Sequence, residues 1–207
     1  MEQSINANTL RGTLRNLPEF SHENHGKNFY RFSLEVPRLS GTVDVLPVIT
    51  NEALLNELDL SGGSMLTVCG QVRSHNIREN GIRRLMIFVF ATGIVAEEGD
   101  PINEVTVSGP LCKEPIYRRT PLGREICDVM LAVPRIFRRA DYLPCILWGR
   151  TAQELSECHV RDRVQIFGRL QSRPYTKLTE EGPVERVAYE ISALTADILE
   201  QDIQQST

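Results

Sequence analysis

The chain repeats part of its own sequence at a fixed distance. Residues 35–38 (Glu-Val-Pro-Arg) return 97 residues later as residues 132–135 (Ala-Val-Pro-Arg). After one added residue, 70–74 (Gly-Gln-Val-Arg-Ser) returns as 168–172 (Gly-Arg-Leu-Gln-Ser). Similarity at this spacing predicts two copies of one small fold, each long enough for its own core. Differences between the copies then indicate which of them carries the activity.

The repeat divides the chain into two predicted domains, at 1–98 and 104–200. The stretch between them, 97–101 (Glu-Glu-Gly-Asp-Pro), is polar and contains Gly and Pro, as is typical of a boundary. Residues 201–207 are polar and are predicted to form a short tail.

Both copies have the alternating apolar pattern of β-strands. In the second copy, we predict strands at 104–111, 125–133, 142–147, 163–170 and 186–199, with a helical stretch at 151–158. In the first copy, a helix at 51–58 is predicted between strands at 43–49 and 65–72. Three strands, a helix and two strands follow one another in the five-stranded OB barrel. The predicted fold is therefore all-β, with two tandem OB-fold barrels, each with a short helix between strands three and four.

Composition limits the functions that this fold can serve. The net charge of −4 gives no general attraction to nucleic acid, so such a site has to be a local basic patch. No apolar run approaches the roughly 18 residues of a membrane helix, and the N-terminus does not resemble a signal peptide. The five cysteines are odd in number and form no Cys-x-x-Cys pair, which argues against disulfides and zinc. We therefore expect a cytoplasmic protein without a cofactor, a metal or a membrane partner.

Aromatic and basic side chains are interleaved in the second copy. Single strands are bound by such mixtures, because rings stack on bases at about 1–3 kcal/mol each and arginines hold phosphates. The candidate residues for binding single-stranded DNA are Phe137, Tyr142, Trp148 and Tyr175, with Arg118, Arg135, Arg138, Arg139, Arg150, Arg169 and Arg173. Taken alone, each of these has an ordinary explanation, since an isolated Trp is more often a core residue and a basic cluster is more often a solvated face.

The first copy serves as an internal control for these aromatic positions. The residues that correspond to the four rings are Ser40, Val45, Asn51 and Ile77, and none of them is aromatic. A purely structural requirement for the rings would be expected in both copies. The difference predicts a binding face in the second copy and a structural or weakly binding first copy.

The second copy resembles the bacterial single-stranded DNA-binding proteins over residues 104–199. The motifs that carry the resemblance are 107–111 (Val-Ser-Gly-Pro-Leu), 131–135 (Leu-Ala-Val-Pro-Arg), 144–152 (Pro-Cys-Ile-Leu-Trp-Gly-Arg-Thr-Ala) and 166–175 (Ile-Phe-Gly-Arg-Leu-Gln-Ser-Arg-Pro-Tyr). In that family four aromatic positions stack bases, and they match Phe137, Tyr142, Trp148 and Tyr175. The resemblance implies four OB folds per assembly and hence a homodimer. Family members usually end in an acidic tail that recruits repair enzymes, and the ending Gln-Gln-Ser-Thr puts that recruitment in doubt.

The sequence thus favours a non-enzymatic, sequence-independent protein that binds and protects single-stranded DNA in replication, recombination and repair. Neither a phosphate-binding Gly-x-x-x-x-Gly-Lys loop nor a Gly-x-Ser-x-Gly elbow occurs in it. The main alternative is an OB-fold adaptor or primosome-type accessory protein that acts mainly through protein–protein contacts. RNA also remains open as the ligand, because stacking does not distinguish the sugar.

Overall fold

The protein is all-β, with one α-helix among the residues described. The computed structural model describes residues 5–79, 82–179 and 182–199, so the predicted tail at 201–207 lies outside it. The first half contains β1 (Asn6–Leu14), β2 (Glu19–Asn24), β3 (Lys27–Pro37), β4 (Val43–Asn51), β5 (Met65–Glu79) and β6 (Ile82–Ala96). The second half contains β7 (Ile102–Pro110), β8 (Ile116–Arg119), β9 (Glu125–Arg135), β10 (Arg139–Trp148), α1 (Gly149–Ser156), β11 (Arg163–Thr179) and β12 (Gly182–Leu199).

Strand pairing in the first half closes on itself. Antiparallel ladders join β1 to β3, β3 to β4, β5 to β6 and β1 to β5, while β4 and β6 run parallel. The second half has the corresponding order β7–β11–β12–β10–β9–β8, again with one parallel pair, β10 with β12. The pairing Leu14↔Leu34 in β1 and β3 recurs as Leu111↔Leu131, which are the same positions shifted by the sequence repeat.

Among the residues that the structure describes, each half has six strands where the sequence pattern predicted five. The additional strands, β2 and β8, are short and pair with β3 and β9, respectively. Each follows a break that contains a proline at the same place in the repeat, Pro18 and Pro115. Proline has no N–H to donate to a ladder, so the first strand of each half is divided into two pieces.

The two halves differ most at the predicted helices. The second half has α1, which buries Ala152 and Leu155 three positions apart on one side. In the first half, a 3-10 helix of three residues, Glu52–Leu54, stands where an α-helix at 51–58 was predicted. None of its residues is buried, so no apolar face stabilises further turns. Its N-terminus is capped by Asn51, whose side chain accepts a hydrogen bond from Leu54 N at 3.2 Å.

The described residues group into two compact units whose boundaries differ from those of the sequence repeat. One comprises 7–105 and 170–190, and the other comprises 5–6, 106–169 and 191–199. The core of the first is built from aliphatic side chains such as Leu10, Leu34 and Leu46, all of which are fully buried. Leu131 and Leu143 are fully buried in the second. Their burial is the main driving force for each unit's folding.

A glycine in the repeated motif marks a close approach of two strands in each half. A Cβ atom on Gly70 would overlap the carbonyl oxygen of Phe90, and one on Gly168 would overlap that of Ser192. The glycines at the start of 70–74 and 168–172 therefore have the same structural reason. The same contact also makes Phe90 and Ser192 equivalent positions in the two halves.

Candidate nucleic-acid interface

Strand β10 carries two exposed aromatic side chains on one face. Side chains alternate along a strand, so Leu143 and Leu147 point into the core while Tyr142 and Trp148 point outward. Tyr142 is 44% exposed and Trp148 is 39% exposed. The rings that the sequence predicted as stacking platforms at these two positions are therefore both accessible on the outer face of one strand.

The Trp148 ring is held in place at its edge. Its Nε1 donates a hydrogen bond to Ser192 Oγ at 3.2 Å. Ser192 lies in β12, which pairs with β10 through Ile146↔Ser192. On the other side Trp148 is opposite Ile126 of β9. The hydrogen bond fixes the ring orientation, so a base stacking on it would lose little side-chain freedom.

Phe137 lies in the connection between β9 and β10. It has a φ of 61°, in the left-handed region that non-glycine residues rarely adopt. Its side chain is 89% exposed. No burial stabilises this arrangement, so the ring is presented to solvent by a backbone that carries strain.

Tyr175, the fourth predicted platform, lies in β11 and is 38% exposed. It belongs to the unit formed by 7–105 and 170–190, whereas Phe137, Tyr142 and Trp148 belong to the other. In that other unit, Tyr142 and Trp148 share a strand face and Phe137 precedes their strand.

Three of the predicted phosphate-binding arginines form ion pairs at the surface. Arg118 Nε lies 2.7 Å from Asp128 Oδ2, and Arg150 Nε lies 3.0 Å from Glu154 Oε1. Arg173 Nε lies 3.3 Å from Glu190 Oε1. The arginine side chains in these pairs are more than half exposed, and phosphate could compete for Arg118 and Arg150 at modest cost. The Glu190 side chain is only 12% exposed, so releasing Arg173 costs more.

Arg118 has the clearest spatial relation to a platform. It is opposite Ile126, which is in turn opposite Trp148. Two strand spacings amount to about 10 Å between backbones. A DNA strand with a base stacked on Trp148 would therefore bring a phosphate within reach of the long Arg118 side chain.

Arg135 has a different environment from the surface arginines. Its Nη1 lies 3.0 Å from Oδ1 of Asp141, whose side chain is completely buried. The first half has the same pair, Arg38 with Asp44, at positions shifted by the repeat. A buried aspartate present in both halves indicates that Arg135 contributes to folding by pairing with it.

The other predicted arginines vary in exposure. Arg139 is exposed, while Arg169 is half-buried and its Nε has no hydrogen-bond partner among the described residues. The side chain of Arg138 lies outside the described part of the structure. A hydrogen bond from Arg119 lowers the pKa of Glu125, the first residue of β9, below its ordinary value, so this carboxylate stays charged.

A second aromatic group lies in the first half, at positions that the sequence repeat did not single out. The His22 and Phe29 rings stack at 4.9 Å between centroids with an interplanar angle of 8°. Phe29 is 6.0 Å from Phe90, and the guanidinium carbon of Arg73 lies 3.9 Å from the Phe90 ring centre. We call these four residues the first-half aromatic cluster. Aligning each half's neighbouring strands, rather than single positions, could have revealed it.

The described residues contain no metal-binding arrangement and no membrane-crossing helix. No group of three or more His, Cys, Asp or Glu side chains is placed to hold a metal ion within 5–79, 82–179 and 182–199. Over the same ranges, no helix is both long and apolar enough to span a bilayer.

Comparison with known proteins decides the family. Residues 102–199 match the Single-strand binding protein family. Single-stranded DNA-binding protein B of Bacillus subtilis is 38% identical over 87 residues, which are 39% of this chain and 75% of that protein. The chain belongs to the single-strand binding protein family. The match covers the half that carries Tyr142 and Trp148.

Other family members match over a smaller share of their length. Single-stranded DNA-binding protein 1 of Staphylococcus aureus (strain COL) is 36% identical over 81 residues, which are 36% of this chain and 48% of that protein. The chain thus spans about half of that relative. The solved single-stranded DNA binding protein from Thermus aquaticus has a TM-score of 0.80 at 22% identity, over 99% of this chain and 98% of that one. This likeness shows that both halves of the chain share the fold of that protein.

Proposed function

We propose that the protein binds single-stranded DNA, largely without regard to sequence, by stacking bases on exposed aromatic rings. The observation that carries the proposal is that this member of the single-strand binding protein family exposes Tyr142 and Trp148 on the outer face of β10, with the Trp148 ring held by a hydrogen bond to Ser192. Phe137 and Tyr175 would extend the set of rings. The protein would not act as an enzyme, and it would protect exposed strands in the cytoplasm during replication, recombination and repair.

The strand pairings support an organisation as two tandem OB barrels. The domains would be 1–98 and 104–200, and two chains would assemble as a homodimer with four OB folds. The whole-chain likeness to the Thermus aquaticus fold is consistent with the two tandem barrels. Gel filtration with light scattering would test the homodimer directly.

The arginines divide into two roles in this proposal. Arg118 and Arg150 would exchange their surface carboxylate partners for DNA phosphates, and Arg173 would leave the largely buried Glu190 to do so. Arg138, Arg139 and Arg169 would be further contacts. Arg135 would act indirectly by holding buried Asp141 at the start of β10. Counterion release from the bound phosphates would make affinity fall as salt rises.

Trp148, the only tryptophan, provides the test. Oligo-dT is added at low and high salt while Trp148 fluorescence and the anisotropy of labelled DNA are followed. We expect quenching and salt-sensitive binding. Trp148→Phe should keep most of the affinity because it keeps a ring, whereas Trp148→Leu should lose about 1–3 kcal/mol.

Each alternative gives a different outcome in the same titration. Binding without quenching would place the DNA away from Trp148. Equal affinity for oligo-dT and oligo-rU would extend the ligand to RNA. Absence of binding at low salt would refute the proposal and favour the adaptor, which Trp148→Leu would leave fully active in protein–protein assays.

A further inference from the structure

The first half has aromatic side chains on the strands next to the position that corresponds to Trp148. By the repeat, Asn51 of β4 corresponds to Trp148, and Asn51 is opposite Phe29 of β3. In the second half, the residue opposite Trp148 is Ile126. The first half therefore carries its aromatic side chain on β3, the strand that neighbours the counterpart of Trp148.

The next strand, β6 in the first half and β12 in the second, also carries an aromatic residue at this position only in the first half. Ile49 of β4 pairs with Phe90 of β6, as Ile146 of β10 pairs with Ser192 of β12. Ser192 is the residue that accepts the hydrogen bond from Trp148. One indole with a serine at its edge in the second half thus corresponds to two phenyl rings, from β3 and β6, in the first.

These rings are organised as a stack, and they are not fully buried. His22 lies parallel to Phe29 at 4.9 Å and is itself exposed, so its outer face is open to solvent. Phe29 and Phe90 are half-buried. Arg73 covers Phe90 at 3.9 Å and is held by a hydrogen bond from its Nη2 to Gln71 Oε1 at 2.9 Å. The cluster therefore offers an exposed imidazole on which an unpaired base could lie, and Arg73 adds a half-buried cation on Phe90.

The carboxylate that follows Asn51 in the sequence is directed away from the cluster. Glu52 accepts hydrogen bonds from Asn28 Nδ2 at 3.2 Å and from the Tyr30 hydroxyl at 3.0 Å. The hydrogen bond to Glu52 also raises the pKa of Tyr30. Asn28 and Tyr30 alternate with Phe29 along β3, so Glu52 lies on the other side of the ribbon from the Phe29 ring. Arg73 is the cation that lies on the Phe90 ring, where it can serve a phosphate or a base.

We propose that the first-half aromatic cluster, His22, Phe29, Phe90 and Arg73, is a second stacking site for an unpaired base of single-stranded DNA. The inference rests on the proposed function and extends it to a surface whose rings stand at positions different from those matched in the second half. It makes the first half a direct DNA-binding element, in contrast to the structural or weakly binding role that the sequence predicted.

A relocated tryptophan tests the site directly. In a Trp148→Phe background, Phe29→Trp places the only indole in the cluster, and Phe20→Trp places it on the same hairpin with the opposite orientation. Phe20 pairs with Tyr30, the neighbour of Phe29, so it faces the other side of the ribbon. Oligo-dT of about 30 nucleotides, roughly twice the longest site of one OB fold, should quench the Phe29→Trp reporter and not the Phe20→Trp control.

Affinity provides the second measurement. The double variant Phe29→Leu/Phe90→Leu keeps apolar volume but removes both rings, and it should weaken binding of the same oligo-dT about tenfold. Phe20→Leu, the matched control, should change affinity by less than about twofold. Thermal unfolding of each variant checks that the fold is retained.

The outcomes separate this inference from the function on which it rests. Absence of binding by the unchanged protein would overturn both. Binding by the Phe29→Trp reporter without quenching, or equal losses in Phe29→Leu/Phe90→Leu and Phe20→Leu, would overturn only the second stacking site. A folded double variant with unchanged affinity would do the same.

Discussion

Replacing Asp44 with Asn should strongly destabilise the unit that contains it. The Asp44 carboxylate is fully buried and accepts hydrogen bonds from Arg38 Nε at 2.7 Å and Arg38 Nη2 at 2.5 Å. It also accepts from Ser172 N at 2.7 Å and Ser172 Oγ at 3.1 Å. The amide of Asn is neutral and offers one acceptor oxygen, so Arg38 would keep a largely buried charge without its counter-charge. Breaking a buried pair in this way costs about 3–5 kcal/mol.

Urea unfolding followed by circular dichroism measures this loss of stability. Glu35→Gln is the matched control, because Glu35 pairs with Arg15 at 3.2 Å with both side chains at least 40% exposed. Such a pair contributes at most about 1 kcal/mol. Ser172→Ala should fall between the two, at about 1–3 kcal/mol, since it removes one hydroxyl from the carboxylate. If Asp44→Asn costs no more than Glu35→Gln, the account of Asp44 as a buried anchor is refuted.

Three further predictions follow from individual side chains. If Arg118 contacts phosphate, Arg118→Ala should reduce the magnitude of the slope of log affinity against log salt by about 0.7. The free energy of unfolding should change by less than about 1 kcal/mol, and an unchanged slope would exclude the contact. Burial raises the pKa of the Cys127 thiol to about 11, so a thiol reagent at pH 8 should modify exposed Cys69 in the folded protein and reach Cys127 only on unfolding. The hydrogen bond from Arg119 lowers the pKa of Glu125 from 4.5 in the folded state, so this stabilisation is present above pH 4.5 and is lost as the pH falls through the folded value. The melting temperature of Glu125→Gln should therefore fall less on acidification than that of the unchanged protein.

Much of the strand pattern was predictable because buried positions alternate along β-strands. The strand predicted at 125–133 lies within β9, and the one at 142–147 lies within β10. The sequence did not predict β8, whose four residues are all exposed and so leave no apolar alternation. The helix predicted in the first half was wrong for the opposite reason, because its sequence pattern is strong. Its composition favours a helix, but the structure provides no buried surface for its apolar face, and a 3-10 turn forms instead.

The candidate interface was predictable only where a single sequence position determines the feature, such as the exposure of a side chain. Exposure of Tyr142 and Trp148 follows from strand alternation, once β10 is placed. The pairing of Arg135 with Asp141 could have been inferred from its counterpart, Arg38 with Asp44, because both partners recur at the repeat spacing. The first-half aromatic cluster could not be read from single positions, since its rings come from strands that pairing brings together.

Phe137 shows that this sequence is not the one that stability alone would select. A non-glycine residue in the left-handed region costs roughly 1–3 kcal/mol, and an almost fully exposed ring gains no burial in return. Glycine at this position would relieve the strain and strengthen the fold while removing the ring. Selection of variants for heat resistance without DNA should therefore discard Phe137 early and yield a more stable protein. If Phe137 stacks on a base as proposed, that protein should also bind DNA less tightly. Heat selection and DNA-binding selection would then act in opposite directions on this one residue.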